Sequence, residues 1–245
     1  MLLQIIPFAF IGSIGAIFGA ALLLLFPQGV RQYLLPLLLS YAVGTLLGGA
    51  FLCLIPEGLE QAPATPFMAT VLTGIVAFFA LERLLLQRHS LAHEAEATTF
   101  AGPLILIGDA FHNFVDGIVI AAAFMTSPAL GMTVTLAVVA HEVPQEVGEF
   151  AILLENGFSR GKAFLLNSLS ATATLPGAIL GYFWLAEASN VIPYMLAVSA
   201  ASFIYIASVD LIPSLHRKMN RGSSLQQISF LIAGMVSIGV VGASG

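Results

Sequence analysis

The residues of this chain whose types and spacing can do chemistry are His112, Asn113 and Asp116, then His141, Glu142, Gln145 and Glu146. On a helix, Asp109, His112 and Asp116 share one stripe by i, i+3 and i+7, with Asn113 beside it. His141 and Gln145 make an i, i+4 pair, and Glu142, Glu146 and Glu149 make a second stripe. Neither segment carries a lysine or arginine. Carboxylates this close cannot all stay ionised in a low-dielectric interior without a cation, so protons or metal ions must neutralise them. Imidazole mixed with carboxylate suits zinc, iron and related first-row ions, whereas calcium or magnesium favours oxygen ligands alone. Zinc is the first expectation, in a site less closed than a four-ligand structural one. Iron, manganese and cadmium remain open.

The elements that must position these residues are membrane helices. Of 245 residues, 58% are hydrophobic and 9% charged, against about 25% charged in a soluble domain. A span needs about 20 mostly apolar residues. Hydropathy runs and breakers predict eight: Gln4 to Phe26, Tyr33 to Pro56, Phe67 to Gln87, Gly102 to Thr126, Leu130 to Leu154, Ala163 to Ala186, Ile192 to Ser214 and Gln226 to Val241. The runs are too long and alternate too weakly for barrel strands, so an all-α bundle follows, one transmembrane domain over residues 1–245 with a polar loop at about 88–101. Met1 to Gln4 lacks the basic start of a signal peptide, and the first apolar run is read as the first span. The net charge of -5 comes mostly from carboxylates inside apolar segments, which argues against a nucleic-acid partner.

Basic residues test this division independently, because lysine and arginine accumulate in cytoplasmic loops. Arg31, Arg83, Arg88, Arg160, Lys162, Arg217, Lys218 and Arg221 all fall on one side of an eight-span bundle. The opposite loops hold Glu57 and Glu60, then Ser127-Pro128, then Glu187. Both termini are therefore expected outside the cytoplasm, in a bacterial-type inner membrane. Leu54-Ile55-Pro56-Glu57 closes the second span and Leu211-Ile212-Pro213-Ser214 the seventh, which run in opposite directions. That echo suggests inverted repeats of spans one to three and six to eight, a plan common in transporters.

Other residues are candidates for the pathway. Asp109 and Glu149 extend the two stripes. Cys53, the single cysteine, is a soft ligand near the outer entrance or simple packing. Asp210 is an exit ligand or a partner of the nearby basic cluster. His89 and His93, with Glu94 and Glu96, form either a solvated linker or a loop that gathers ions. Asn167 and Ser170 bond neighbouring helices or ligate metal, the bonding role being favoured. Pro144 removes a backbone donor inside the fifth span and predicts a local kink, while Gly117 and Gly148 allow close approach or irregular backbone.

His112-Asn113-Phe114-Val115-Asp116-Gly117 and His141-Glu142-Val143-Pro144-Gln145-Glu146 resemble the signature segments of the ZIP (Zrt- and Irt-like) metal transporters. Gly44-Thr45-Leu46-Leu47-Gly48, Leu54-Ile55-Pro56-Glu57 and Asp210-Leu211-Ile212-Pro213 extend the likeness over essentially the whole chain. The resemblance implies eight helices in a 3+2+3 arrangement, outward termini and a binuclear-type site between the fourth and fifth spans. It places His112, Asp116, His141 and Gln145 at the primary metal position, and Asn113, Glu142 and Glu146 at the adjacent one or the bridge. It also implies metal uptake into the cytoplasm by alternating, elevator-like movement. Relatives carry histidine or glutamate where Gln145 stands, and often histidine or another polar residue where Cys53 stands.

The expected partners are divalent metal ions and the bilayer, with a homodimer left open, and no cofactor or enzymatic activity. Two other classes compete. His141-Glu142-Val143-Pro144-Gln145 approaches the HExxH pattern of a zinc metalloprotease, here an intramembrane one, but lacks the second histidine. A metal-sensing receptor would bind without flux.

Overall fold

The computed structural model describes residues 1–93, 101–155, 157–217 and 224–243, and these are helical throughout apart from short turns. Eight long elements follow one another. α1 comprises Leu2–Phe10, a π-helical turn Ile11–Gly15 and Ala16–Leu25. α2 comprises Gln28–Gly48, a π turn Gly49–Leu54 and Ile55–Gln61. α3 is Ala64–His93, α4 Ala101–Thr126 and α5 Pro128–Glu155. α6 comprises Arg160–Ala171 and Thr174–Glu187. α7 comprises Ile192–Tyr205, a π turn Ile206–Leu211 and Ile212–Arg217, and α8 is Ser224–Ala243.

Seven of these helices are long and apolar enough to cross a membrane. α5 is not among them, because His141, Glu142, Pro144, Gln145, Glu146 and Glu149 lower its hydropathy although it runs for 28 residues. Apolar side chains cover much of the outside, among them Leu3, Leu25, Leu72, Leu165 and Val240. Such a surface is stable against lipid rather than water.

The π turns of α2 and α7 and the break in α6 have sequence causes. A proline inside a helix removes a donor and presses its ring on the carbonyl four residues back. For Pro56 that carbonyl belongs to Leu52, inside the π turn of α2; for Pro213 it belongs to Val209, inside the π turn of α7. Pro176 acts likewise on Thr172, and α6, expected as one unbroken span, breaks at Thr172 and Ala173. Ser13 Oγ, in the π turn of α1, donates to Ala171 O at that break over 2.8 Å. α3 continues as helix to His93, past the expected end at Gln87, since Leu91-Ala92 favours helix and only the apolar run stops.

Helices associate in lipid chiefly through close packing, which small residues permit. α4 and α6 meet at Gly117 and Gly177: a Cβ on Gly117 would overlap Thr174 O, and one on Gly177 would overlap Phe114 O. α2 and α8 meet at Gly44 and Gly234, where an added Cβ would overlap Leu231 O or Tyr41 O. α3 lies on α7, with a Cβ on Gly74 coming within 2.7 Å of Ala201 Cβ. α1 packs on α5 and α6. The bundle thus sorts into α1, α4, α5 and α6 against α2, α3, α7 and α8, with α5 on α2 and α8, and α4 on α7, along the seam.

Short capped turns set the two ligand helices. Ser127 Oγ accepts Leu130 N at 3.1 Å ahead of α5, and Pro128 opens that helix. Gly157, at φ 83°, closes it: Gly157 N donates to Leu154 O and Phe158 N to Leu153 O. α4 therefore enters and α5 leaves at the end of the bundle that carries Arg160, called lower here; Ser127 and Glu57 mark the upper end.

Candidate metal centre

Four side chains converge midway along α4 and α5. His112 Nε2 lies 3.2 Å from His141 Nε2, 3.4 Å from Glu142 Oε1 and 3.8 Å from Asp116 Oδ2. His141 Nε2 lies 3.4 Å from both Asp116 Oδ2 and Glu142 Oε1. Four ligands held about 2.0 Å from a tetrahedral zinc stand about 3.3 Å from one another. The five edges these contacts define, 3.2 to 3.8 Å, lie close to that figure.

The tautomer of His141 follows from its other nitrogen. Nδ1 is 2.9 Å from Ala137 O, and a carbonyl only accepts, so Nδ1 carries the hydrogen. The Nε2 lone pair is then directed at the centre, the arrangement a metal-ligating histidine needs. Asp116, His141 and Glu142 are fully buried, while the His112 side chain keeps 21% exposure.

A second group of ligand atoms follows toward the lower end: Asp109, Glu142 and Glu146, all oxygen. Glu142 belongs to both groups, which suits a bridging carboxylate. Around this second group the neighbours are amides. Asn113 Nδ2 donates to Asp109 O at 3.2 Å and to Asp109 Oδ1 at 3.0 Å, and its Oδ1 accepts Thr174 Oγ1 at 3.0 Å. Gln145 Nε2 donates to Asp109 Oδ1 at 3.3 Å and to Glu149 Oε1 at 3.2 Å. Asn167 Nδ2, from α6, donates to Glu146 O at 3.2 Å and also to Glu146 Oε2.

Many carboxylate oxygens here have no hydrogen-bond partner although buried: both of Asp116, both of Glu142, Asp109 Oδ2, Glu146 Oε1 and Glu149 Oε2. An orphaned buried oxygen is rare in a stable fold. Seven on two helices, with no lysine or arginine on either, make a site whose chemistry calls for cations.

The family model of the ZIP zinc transporters matches residues 87–242. The chain belongs to the ZIP family. Zinc transporter ZIP13 of Pongo abelii is 35% identical over 170 residues, 68% of this chain and 50% of that protein. Zinc transporter foi of Drosophila melanogaster is 40% identical over 134 residues, 55% of this chain and 18% of that protein. Zinc transporter ZIP6 of Homo sapiens is 39% identical over 112 residues, 46% of this chain and 15% of that protein. The chain thus spans half or less of the length of these curated relatives. They are animal proteins and lend no support to a bacterial membrane.

With the ZIP family shown, the peptidase reading has nothing behind it. These relatives are named transporters, and the position of the missing second histidine is Gln145, whose amide is bonded to Asp109 and Glu149. The chain is an integral membrane protein of a transporter family, not of an enzyme family.

The remaining sequence candidates are placed as follows. The structure brings His112, Asp116, His141 and Glu142 together and sets Gln145 beside Asp109 rather than among those four. Asn113 holds Asp109 and α6. Cys53 lies buried in the π turn of α2 and lines a cavity of about 400 Å³ at the upper end with Glu57 and Glu60. Asp210 belongs to the π turn of α7 and His89 and His93 to the end of α3; their side chains, like Glu94 and Glu96, lie outside what is described. Asn167, favoured from sequence as a helix-to-helix bond, has its contact on a site carboxylate. Its signal was the Gly177 and Gly181 pair, which marks α6 as the helix lying closest to α4. Phe203 of α7, not singled out from sequence, sets its ring 6.3 Å from that of His141 at 62° and is fully buried.

Proposed function

We propose that the chain carries divalent transition-metal ions, zinc foremost, across the membrane into the cytoplasm through the centre on α4 and α5. The observation that carries this is the near-tetrahedral set of His112, Asp116, His141 and Glu142 with its orphaned carboxylate oxygens, inside a bundle with an apolar exterior. The names of the relatives support zinc as the cargo.

All eight helices cross the bilayer in this reading, α5 included, because its polar face is turned to the site and not to lipid. The one-sided distribution of arginine and lysine supports outward termini. Inverted repeats of α1 to α3 and α6 to α8 gain support from the matching π turns before Ile55-Pro56 and Ile212-Pro213, and from the glycine contacts that pair α2 with α8 and α7 with α3.

An asymmetry about the site supports alternating access. Toward the upper end, Val119 to Ala123 of α4 and Val134, Ala137 and Val138 of α5 are fully buried. Toward the lower end, Gly108 and Gly148 border open space, and Gln145 and Glu149 are half-buried. That is an inward-facing arrangement. The ligand-bearing set α1, α4, α5 and α6 moving against α2, α3, α7 and α8 would expose the centre to the other side.

Proteoliposomes holding the purified chain should take up zinc, and His141→Ala and Asp116→Ala should abolish uptake while the protein still folds. Undiminished flux in either variant would overturn the site assignment. Tight zinc binding with no flux in the native chain would favour a sensor.

A further inference from the structure

A cavity of about 520 Å³ opens at the lower end of the seam, lined by Gln28, Arg31, Gln32, Leu35, Pro36 and Val147. Its polar side is an arginine and two amides, with no carboxylate among the described residues lining it. Arg31 Nε is buried and has no hydrogen-bond partner. The other side is apolar: Leu35, Pro36 and Val147 line it, and Leu35 packs with Val147 in a small core of its own. Leu25, Phe26 and Tyr33 are exposed apolar and aromatic side chains at the same end of the bundle. The first turn of α2 lacks an acidic residue, and Pro27 before it offers no side-chain cap.

We propose that this cavity holds the phosphate group of an anionic phospholipid, its acyl chains lying on Leu25, Phe26 and Tyr33. Guanidinium and amide donors match phosphate oxygens, and basic pockets between membrane helices on the cytoplasmic side suit such headgroups. A free phosphate would use the arginine but leave the apolar side bare. The place gives the ligand a consequence. Val147 adjoins Glu146 on the ligand helix, whereas Arg31 stands on α2 across the seam. A lipid bridging the two favours the arrangement in which the lower end is open, so it regulates the movement without touching the metal. This rests on reading the chain as a transporter that spans a membrane.

Native mass spectrometry of the purified chain, titrated with phosphatidylglycerol, phosphatidylcholine or glycerol phosphate, tests the site apart from transport. The expected result is retention of phosphatidylglycerol over phosphatidylcholine, about fivefold of the preference depending on Arg31. Arg31→Gln loses that preference, and Lys162→Gln, a charge at the same end that does not line the cavity, keeps it. Equal retention of the two lipids, an unchanged preference in Arg31→Gln, or glycerol phosphate binding as well as the lipid overturns the proposal. Zinc uptake in liposomes with and without phosphatidylglycerol should differ severalfold for the native chain and not for Arg31→Gln; equal uptake overturns the regulatory part. Absence of uptake in every lipid would count against the transport reading, while the lipid preference would still decide the site.

Discussion

The two ligand groups lie about a turn apart on the same pair of helices and share Glu142, yet their surroundings differ. In the upper group, two imidazoles and two carboxylates face one another at 3.4 to 3.8 Å, and no oxygen of Asp116 or Glu142 accepts a hydrogen bond. In the lower group, Asp109 Oδ1 receives Asn113 and Gln145, and Glu146 Oε2 receives Asn167. The amides stabilise negative charge without a cation, so the lower group tolerates being empty better than the upper one. A nitrogen-containing, unpropped group is suited to select and hold zinc. An all-oxygen, amide-propped group is suited to a more loosely held ion.

Substitutions can break this contrast in graded steps. Glu142→Ala removes a ligand from both groups, so zinc affinity should fall more than about a hundredfold, beyond the effect of losing an outer-shell partner, and flux should vanish. Titration calorimetry with a parallel uptake assay would show it, and an unchanged affinity would remove Glu142 from the centre. Glu146→Gln touches the lower group alone: one metal ion fewer per chain should be counted by elemental analysis, with the tight zinc site retained. Loss of the tight site instead would mean that the two groups act as one. Smallest should be Asn167→Ala, which takes a single prop from Glu146 and should shift the weaker site by about tenfold; an equal shift at both sites would erase the distinction.

How much of this was legible in the sequence depended on whether one helix or several fix a residue's place. Asp109, His112 and Asp116 share a stripe on any straight helix, and their closeness in α4 could be read from spacing alone. The direction of Gln145 could not. It lies one turn from His141, and the contest between the metal group and Asp109 is decided by the packing of α4 on α5. Asn167 was harder still, because its reach to Glu146 depends on how α6 packs against both α4 and α5. Helix positions were legible because long apolar runs favour helix, yet the ends of α2 and α3 ran past the apolar segments, since a helix does not stop where apolarity does. The π turns of α2 and α7 and the break in α6 trace to Pro56, Pro213 and Pro176, each of which acts on the carbonyl four residues earlier.

The glycine contact between α4 and α6 bears on how cargo is let go. Gly117 and Gly177 bring two backbones so close that neither helix can slide past the other without collision. Asn113 of α4 and Thr174 of α6, bonded at 3.0 Å, therefore keep their relation wherever α4 travels, and the α4 side of the cage keeps its shape. On the proposed transport reading, an ion held against that fixed side would leave by exchange, with water reaching past Gly108 and Gly148 taking over its ligands one at a time. Speed of release in that proposed cycle would then be set by hydration of the lower opening, and a bulky apolar side chain at either glycine should slow zinc uptake more than it weakens zinc binding.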